Sequence, residues 1–357
     1  MTSSDRTSPA AALSWLVFSG AADWRDQLPR MTREQFDEFV ALAQTNHVVV
    51  RAMTRFRQIA TEANDDTRRQ WADEALAQER MRIEHAVPFL KEICGVLSKA
   101  GCDVTVIKSL DHWPDLGSDL DLYTNADPED VIRAMTQGCD AAVAERSWGD
   151  RLAHRWNFIV PGLPELVEIH VGRLGQTGEL VGFAASIPAR SRTFRVWNYA
   201  FQVPAAEDRL VICTLQRMYR HFYARLCDIA DTVQLLEEGP VDFPRLLASA
   251  EANGIAEGVA TFLVIVSDLA KRWRGRGVIL PDSIRNRARF GGEQIAFARD
   301  FLRIPILPHS LRLYASEWTN LISRGQLRST ARLSLLPWLA TAAALDQKLT
   351  GSDKGIW

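Results

Sequence analysis

The sequence predicts an α+β protein, a small mixed β-sheet core embedded between N-terminal and C-terminal α-helical regions. Three observations lead there. Apolar residues recur at helical spacing through the first hundred residues and again beyond residue 205. Between them lie short runs rich in Val, Ile, Leu and aromatic residues, bounded by Gly, Pro, Asn and Asp, as strands and their turns are. The chain of 357 residues is 47% hydrophobic and 24% charged, ample material for a core. The expected division is a helical cap over 1–100, the sheet core over 101–204, a helical domain over 205–349 and a loose tail over 350–357.

In the cap, Thr32-Arg33-Glu34-Gln35 ahead of Phe36, Phe39 and Val40 fits a capping box opening a helix. Asn46-His47 interrupts it, and Val48 to Ala60 resumes. A long helix follows Asp65-Asp66-Thr67, carrying Trp71, Ile83, Val87, Leu90, Ile93 and Leu97. Pro88 should kink or split it, and Gly101 reads as its C-cap.

The core opens with a strand over Val104–Ile107, a polar loop begun by Lys108 and Ser109, and a second strand carrying Asp119 and Asp121. Asn125 to Pro128 starts a helix whose Val131, Ile132 and Met135 face the sheet. His154–Val160 and Leu163–Val171 flank a hairpin turn at Pro161-Gly162, and Arg192–Val203 reads as one more strand. Pro204 with Glu207 and Asp208 announces a helix. Leu215, Met218, Phe222, Leu226, Ile229, Val233 and Leu236 continue it at three- and four-residue steps. Its other side, with Arg217, Arg220, His221, Arg225, Asp228 and Asp231, reads as a solvated face. Helices over 242–252 and 255–271 follow. The basic stretch 271–289 has few aromatic neighbours and reads as solvated charge rather than an RNA contact.

Composition narrows the function classes. A formal charge of −2 gives no global attraction to nucleic acid. The five cysteines, Cys94, Cys102, Cys139, Cys213 and Cys227, show no zinc spacing and read as reduced, cytosolic thiols. No run reaches the ~20 apolar residues of a membrane span, the 333–344 run included. Ala10–Ala22 has the length of a signal-peptide apolar region, but only Arg6, set against Asp5, precedes it. An amphipathic helix docked on the body is the expectation there, and a cytoplasmic protein with no membrane association.

The sharpest chemistry lies in Val104 to Tyr123. Residues two apart on a strand share a face, so Asp119 and Asp121 project together while Leu120 and Leu122 enter the core. Paired carboxylates raise each other's pKa unless a cation sits between them. Mg²⁺ commonly uses one or two carboxylates plus substrate phosphates. Asp-x-Asp alone is a weak signal. A third acid, Glu168, strengthens it; Glu168 shares a strand face with His170, opposite Val167 and Ile169. Two-metal phosphoryl-transfer sites need such a third acid.

Together these residues resemble the DNA polymerase β-type nucleotidyltransferase superfamily, marked by a Gly-Ser turn, then Asp-x-Asp, then a later single acid. More narrowly the chain is similar to the uncharacterised nucleotidyltransferase family whose motifs run Leu-Lys-Gly, Asp-Ile-Asp-Leu-Leu and acid-x-His. Here they read Ile107-Lys108-Ser109, Asp119-Leu120-Asp121-Leu122-Tyr123 and Glu168-Ile169-His170. The resemblance extends to the C-terminal helical half and so covers most of the chain. It implies a nucleotidyltransferase core moving a nucleoside monophosphate from an NTP, with ATP the default donor, to a hydroxyl of a small-molecule or peptide acceptor rather than a long nucleic acid. Pyrophosphate is released. Two Mg²⁺ ions would be held by Asp119, Asp121 and Glu168, which are also the catalytic residues, with Glu168 a general base if it lies close enough. Lys108, Ser109 and Ser118 would sit near the triphosphate. His170 would orient the acceptor or a ligand, and Arg220 and His221 would reach phosphates. Ser109 stands where the narrower motif has glycine; a non-catalytic nucleotide-binding protein on the same fold is the alternative.

Overall fold

The computed structural model describes residues 9–18 and 30–335, apart from Arg299, together with Trp338. The expected tail over 350–357 and most of the 333–344 run lie outside the described residues.

Helix α1 (Pro9–Phe18) is not the amphipathic helix expected over 10–22. Ala10, Ala11, Ala12, Leu13, Ser14, Leu16 and Phe18 are all buried, so it has no single wet face. A helix apolar all round belongs inside a protein; this one packs against α3 (Val49–Glu62), α9 (Leu226–Glu238) and α11 (Ala256–Arg274). Helix α2 (Arg33–Thr45) begins with the expected capping box, Thr32 and Gln35 each bonding the other's backbone N–H. His47, at φ 52°, turns the chain into α3.

Helix α4 (Asp66–Lys99) runs unbroken through Pro88 for 34 residues. The carbonyl that Pro88 cannot bond belongs to Glu84, a residue on the exposed side of the helix. Ala86, Val87 and Leu90 around it are fully buried and hold the axis on its neighbours. Ala100 and then Gly101, at φ 78°, end the helix as expected.

The core is a five-stranded sheet ordered β1 (Val104–Val106), β2 (Asp119–Thr124), β5 (Leu166–Val171), β4 (Arg155–Ile159), β3 (Ala142–Val143). It is mixed: β2 and β5 are parallel, the other pairs antiparallel. The crossover from β2 carries α5 (Pro128–Gly138), capped by Asp127 with Pro128 at its start, and then α6 (Trp148–Ala153). Leu120, Leu122, Val167, Ile169 and Phe158 are fully buried and form the sheet's inner face.

Two expectations fail in instructive ways. Arg192–Val203 is a hairpin, β6 (Arg192–Val196) and β7 (Tyr199–Val203), rather than one strand. Trp197, at φ 50°, makes the turn with Asn198, and the apolar positions step from Phe194 and Val196 to Tyr199, Phe201 and Val203 across it, a shift of one residue in phase. The helix expected over Leu215–Leu236 is also broken. Beyond α7 (Val181–Ser186) and α8 (Ala206–Thr214), residues Leu215–His221 form a π-helical segment. Phe222 is left-handed at φ 53°, and β8 (Tyr223–Ala224) follows before α9 resumes the helix. The break is fixed from outside the segment, because β8 pairs with β10 (Phe301–Arg303), which pairs with β9 (Ala296–Ala298). Helices α10 (Phe243–Ala252) and α11 lie where periodicity places them, and α12 (Asp282–Arg285), α13 (Leu311–Ser323) and α14 (Leu327–Leu333) complete the described chain.

The polar side of the broken helix is not a solvated face. Arg217 is 2% exposed and ion-paired to Asp228 at 2.7 Å; Asp231 is buried against Arg51 (2.6 Å) and His112 (2.5 Å). Much of the 271–289 basic stretch is likewise engaged. Arg272 donates to the carbonyls of Gly292 and Ile295, Arg274 pairs with Glu237, and Arg287 and Arg289 pair with Glu251 and Glu257. All five cysteines are free thiols, as expected.

Candidate active site

Strand register builds the acidic face. Asp119 stands at the edge of β2 with Asp121 two residues on, and the parallel pairing sets Asp121 directly beside Glu168 of β5. On the other side of β5, Asn157 pairs with Glu168 and Arg155 with His170, so β4 adds a guanidinium to the same face. Ligating atoms of Asp121, Glu168 and His170 lie within 4.8 Å of one another.

Lys108 closes this group from the β1 side. The Ser109 N–H donates to the Ile107 carbonyl at 2.6 Å, a three-residue turn with Lys108 at φ 59°, ψ −57°. That is the strained form of the γ-turn, a geometry that persists where the surroundings impose it. Its effect is to aim the Lys108 ammonium between Asp121, with which it ion-pairs, and Glu168 Oε1 at 3.2 Å. Buried Ser109 clamps the turn to β2, donating to the Asp119 carbonyl (3.1 Å) and accepting from the Asp121 N–H (2.7 Å). A glycine could not make these two bonds, which gives serine a structural role at this position.

Glu168 is the most constrained acid. Its Oε1 meets His170 Nε2 (2.7 Å) and Lys108; its Oε2 accepts from Arg155 (2.9 Å). Arg155 is 3% exposed and is itself held by Asp150 at 2.7 Å, the residue that forms the α6 capping box with Ser147. Burial alone would raise the Glu168 pKa; Arg155, Lys108 and His170 outweigh it and hold the carboxyl well below the ordinary range. Asp119 is the opposite case. Desolvation, then Asp121 and Glu168, push it up to about 6, and among the described residues only the Ser118 hydroxyl, 3.4 Å away, bonds it. The face therefore holds an anion for which the neighbouring cations do not fully compensate.

Lys108 and His170 also line a small pocket with Leu174, Gly175, Ile212, Leu215, Gln216 and Arg220. Among the described residues, Arg220, on the π-helical segment, has no carboxylate within ion-pair distance; burial, and then Arg155, lower its pKa to about 10. His221 turns instead toward Tyr223, with ring centroids 5.4 Å apart, and is held well below its ordinary pKa by burial and the nearby arginines and Lys108. Glu165 and Glu179, the other acids of this part of the chain, are engaged elsewhere: Glu165 pairs with Arg82, and Glu179 accepts backbone N–H bonds from Gln176 and Thr177.

Sequence reasoning missed Arg155. Its signal was present, as it sits two residues before Asn157 on a strand that a Pro-Gly hairpin folds back beside Glu168. It also missed the second polar cluster, His112, Cys227 and Asp231, where His112 Nε2 lies 4.0 Å from Cys227 Sγ. Burial opposes the charged imidazole there, yet Cys227 and Asp231 raise it well above its ordinary value. Among the described residues no helix is long and apolar enough to cross a membrane.

A comparison with protein families matches residues 32–271, more than half of the chain, to a family described as an uncharacterised nucleotidyltransferase. No curated protein matches the chain.

Proposed function

This chain belongs to the uncharacterised nucleotidyltransferase family, and from that premise we propose that it moves a nucleoside monophosphate from an NTP to a hydroxyl of a small-molecule or peptide acceptor, with release of pyrophosphate. Asp119, Asp121 and Glu168 hold divalent metal, Mg²⁺ by ligand chemistry, and ATP is the default donor. The observation that carries the reading is the convergence of Asp121, Glu168 and His170 within 4.8 Å, with Asp119 on the same strand face. The donor set fits a hard cation: carboxylate oxygens predominate, a lysine ammonium already occupies the space between two of them, and Asp119 is raised by burial and then by the neighbouring carboxylates Asp121 and Glu168. Bound ions would neutralise the triphosphate and make the acceptor hydroxyl a better nucleophile.

The protein's own groups do the positioning. Lys108 and Arg220 face one pocket and supply positive charge for the phosphates. Arg155 keeps Glu168 ionised and fixed in direction, so Glu168 serves as a ligand better than as a proton acceptor. Ser109 locks the Lys108 turn to the strand that carries both aspartates. The reaction forms a bond from the acceptor oxygen to the α-phosphorus as the bond to pyrophosphate breaks, and catalysis is chiefly orientation and charge stabilisation.

Asp121→Asn is expected to abolish Mg²⁺-dependent NTP binding and pyrophosphate release. Turnover equal to wild type would remove the metal-site assignment. Glu168→Gln should keep NTP binding and suppress turnover at least ~100-fold, within the range of losses seen on removing one transition-state contact.

A further inference from the structure

Next to Ser118, a cavity of about 320 Å³ is lined by residues of the N-terminal helices and the core loops. Its polar lining is Gln44, His47, Glu79, Arg82, Ser118 and Glu165. Ser118 on its rim is the neighbour of Asp119 and lies 3.4 Å from that carboxylate, so the cavity adjoins the reacting end of the site. The volume suits a small molecule.

Its charge does not suit a phosphate. Arg82 is fully engaged, bonding Glu79 (2.7 Å), Glu165 (2.8 Å) and the carbonyls of Leu116 and Gly117. Burial, and then nearby arginines and His112, lower the His47 pKa to about 2, so it stays neutral. Two carboxylates then face one guanidinium. Glu165 is 6% exposed, and its Oε2 has no hydrogen-bond partner. A buried carboxylate oxygen without a donor is costly; a donor brought by a ligand would satisfy it.

Resting on the nucleotidyl-transfer reading, we infer that this cavity is the acceptor site and that the acceptor is a small hydroxylated amine, its ammonium bound at Glu165 and its hydroxyl directed past Ser118 toward Asp119. The triphosphate lies on the Arg220 side. The two pockets thus select opposite charges, the arrangement that keeps a second nucleotide out of the acceptor position.

The test uses the full chain and three sugars of one shape and different charge: D-glucosamine, D-glucose and D-glucose 6-phosphate. Dissociation constants come from ligand-observed NMR, and Mg²⁺·ATP-dependent thermal shifts are measured in parallel. Glucosamine is expected to bind at least ten times more tightly than glucose, and glucose 6-phosphate more weakly than either. Glu165→Gln should remove the preference for glucosamine. Because Glu165 is paired with Arg82, Gln44→Trp provides a second variant: it fills the cavity from an exposed helix position and should abolish sugar binding. Both variants should retain the ATP shift. Equal binding of glucosamine and glucose, or a preference unchanged in both variants, overturns the inference. Loss of the ATP shift with sugar selectivity intact assigns the cavity to the donor nucleotide and also overturns it. A wild-type protein that selects glucosamine but shows no ATP shift refutes nucleotidyl transfer instead, so the two failures are distinct.

Discussion

At the residue scale the site turns on which cations hold which acids. The common facing of Asp119, Asp121 and Glu168 was legible because strand alternation fixes the side of the sheet that each residue takes. The two motifs needed only to sit on adjacent strands, and the parallel β2–β5 pairing makes Asp121 and Glu168 neighbours. Arg155 was missed although its hairpin was legible, because which residue of that hairpin meets Glu168 depends on the register. Its removal should be felt strongly. Arg155→Met leaves Glu168 and Asp150 buried without their shared partner, and loss of one member of a buried ionic group costs about 3–5 kcal/mol. A urea titration at pH 7 checks this; a midpoint within error of wild type would mean that water compensates the pair. Ser109→Ala removes one hydroxyl that both donates and accepts within the Lys108 turn. It should cost about 1–2 kcal/mol in stability and reduce turnover more than it reduces NTP affinity, measured by steady-state kinetics.

Elements were legible where the reason for them is local. The α2 capping box, the Gly101 stop and the Pro128 start are written in adjacent residues, and all three appear. Elements shaped by distant partners were not. Nothing within Leu215–Leu236 breaks its apolar spacing; β10, some eighty residues on, draws Tyr223-Ala224 out of the helix. The same is true of α1, whose all-round burial depends on α3, α9 and α11. That burial makes a prediction: Leu13 is 0% exposed, and Leu13→Ala should cost about 2–5 kcal/mol, the range for core leucine truncation. A cost below ~0.5 kcal/mol, as surface changes give, would show that α1 does not dock as described.

Across the whole molecule, buried polar links join the three regions around the site. Asn46, fully buried after α2, donates to the Leu42 and Asp300 carbonyls and accepts from the Leu226 N–H, each at 3.0 Å. Arg51 of α3 bonds Asp231 of α9, which also holds His112 beside the site. A second deep contact has a pH signature. Glu317 of α13 is 0% exposed and lies near Glu179, and burial followed by that neighbour raises its carboxyl well above the ordinary value. Above the unfolded carboxyl pKa, the unfolded chain releases this proton while the folded chain keeps it. Stability from this group therefore falls as pH rises from about 4.5 toward the folded pKa. Glu317→Gln should accordingly be near neutral at pH 4.5 and stabilise at pH 8, by thermal melts at both values; equal effects at the two would contradict it. None of these links is visible in a linear pattern, since each joins residues far apart in the chain.

NTP binding is expected to depend on a divalent ion held by Asp119 and Asp121. That dependence is tested most directly by thermal stability with each of the four NTPs, with and without Mg²⁺, on wild type and on Asp119→Asn/Asp121→Asn. A ligand at a hundred times its Kd adds about 2.7 kcal/mol, a readily measured shift. The expected result is stabilisation by at least one NTP that requires Mg²⁺ and vanishes in the double variant. Stabilisation that persists in the double variant, or none with any NTP, would contradict the assignment.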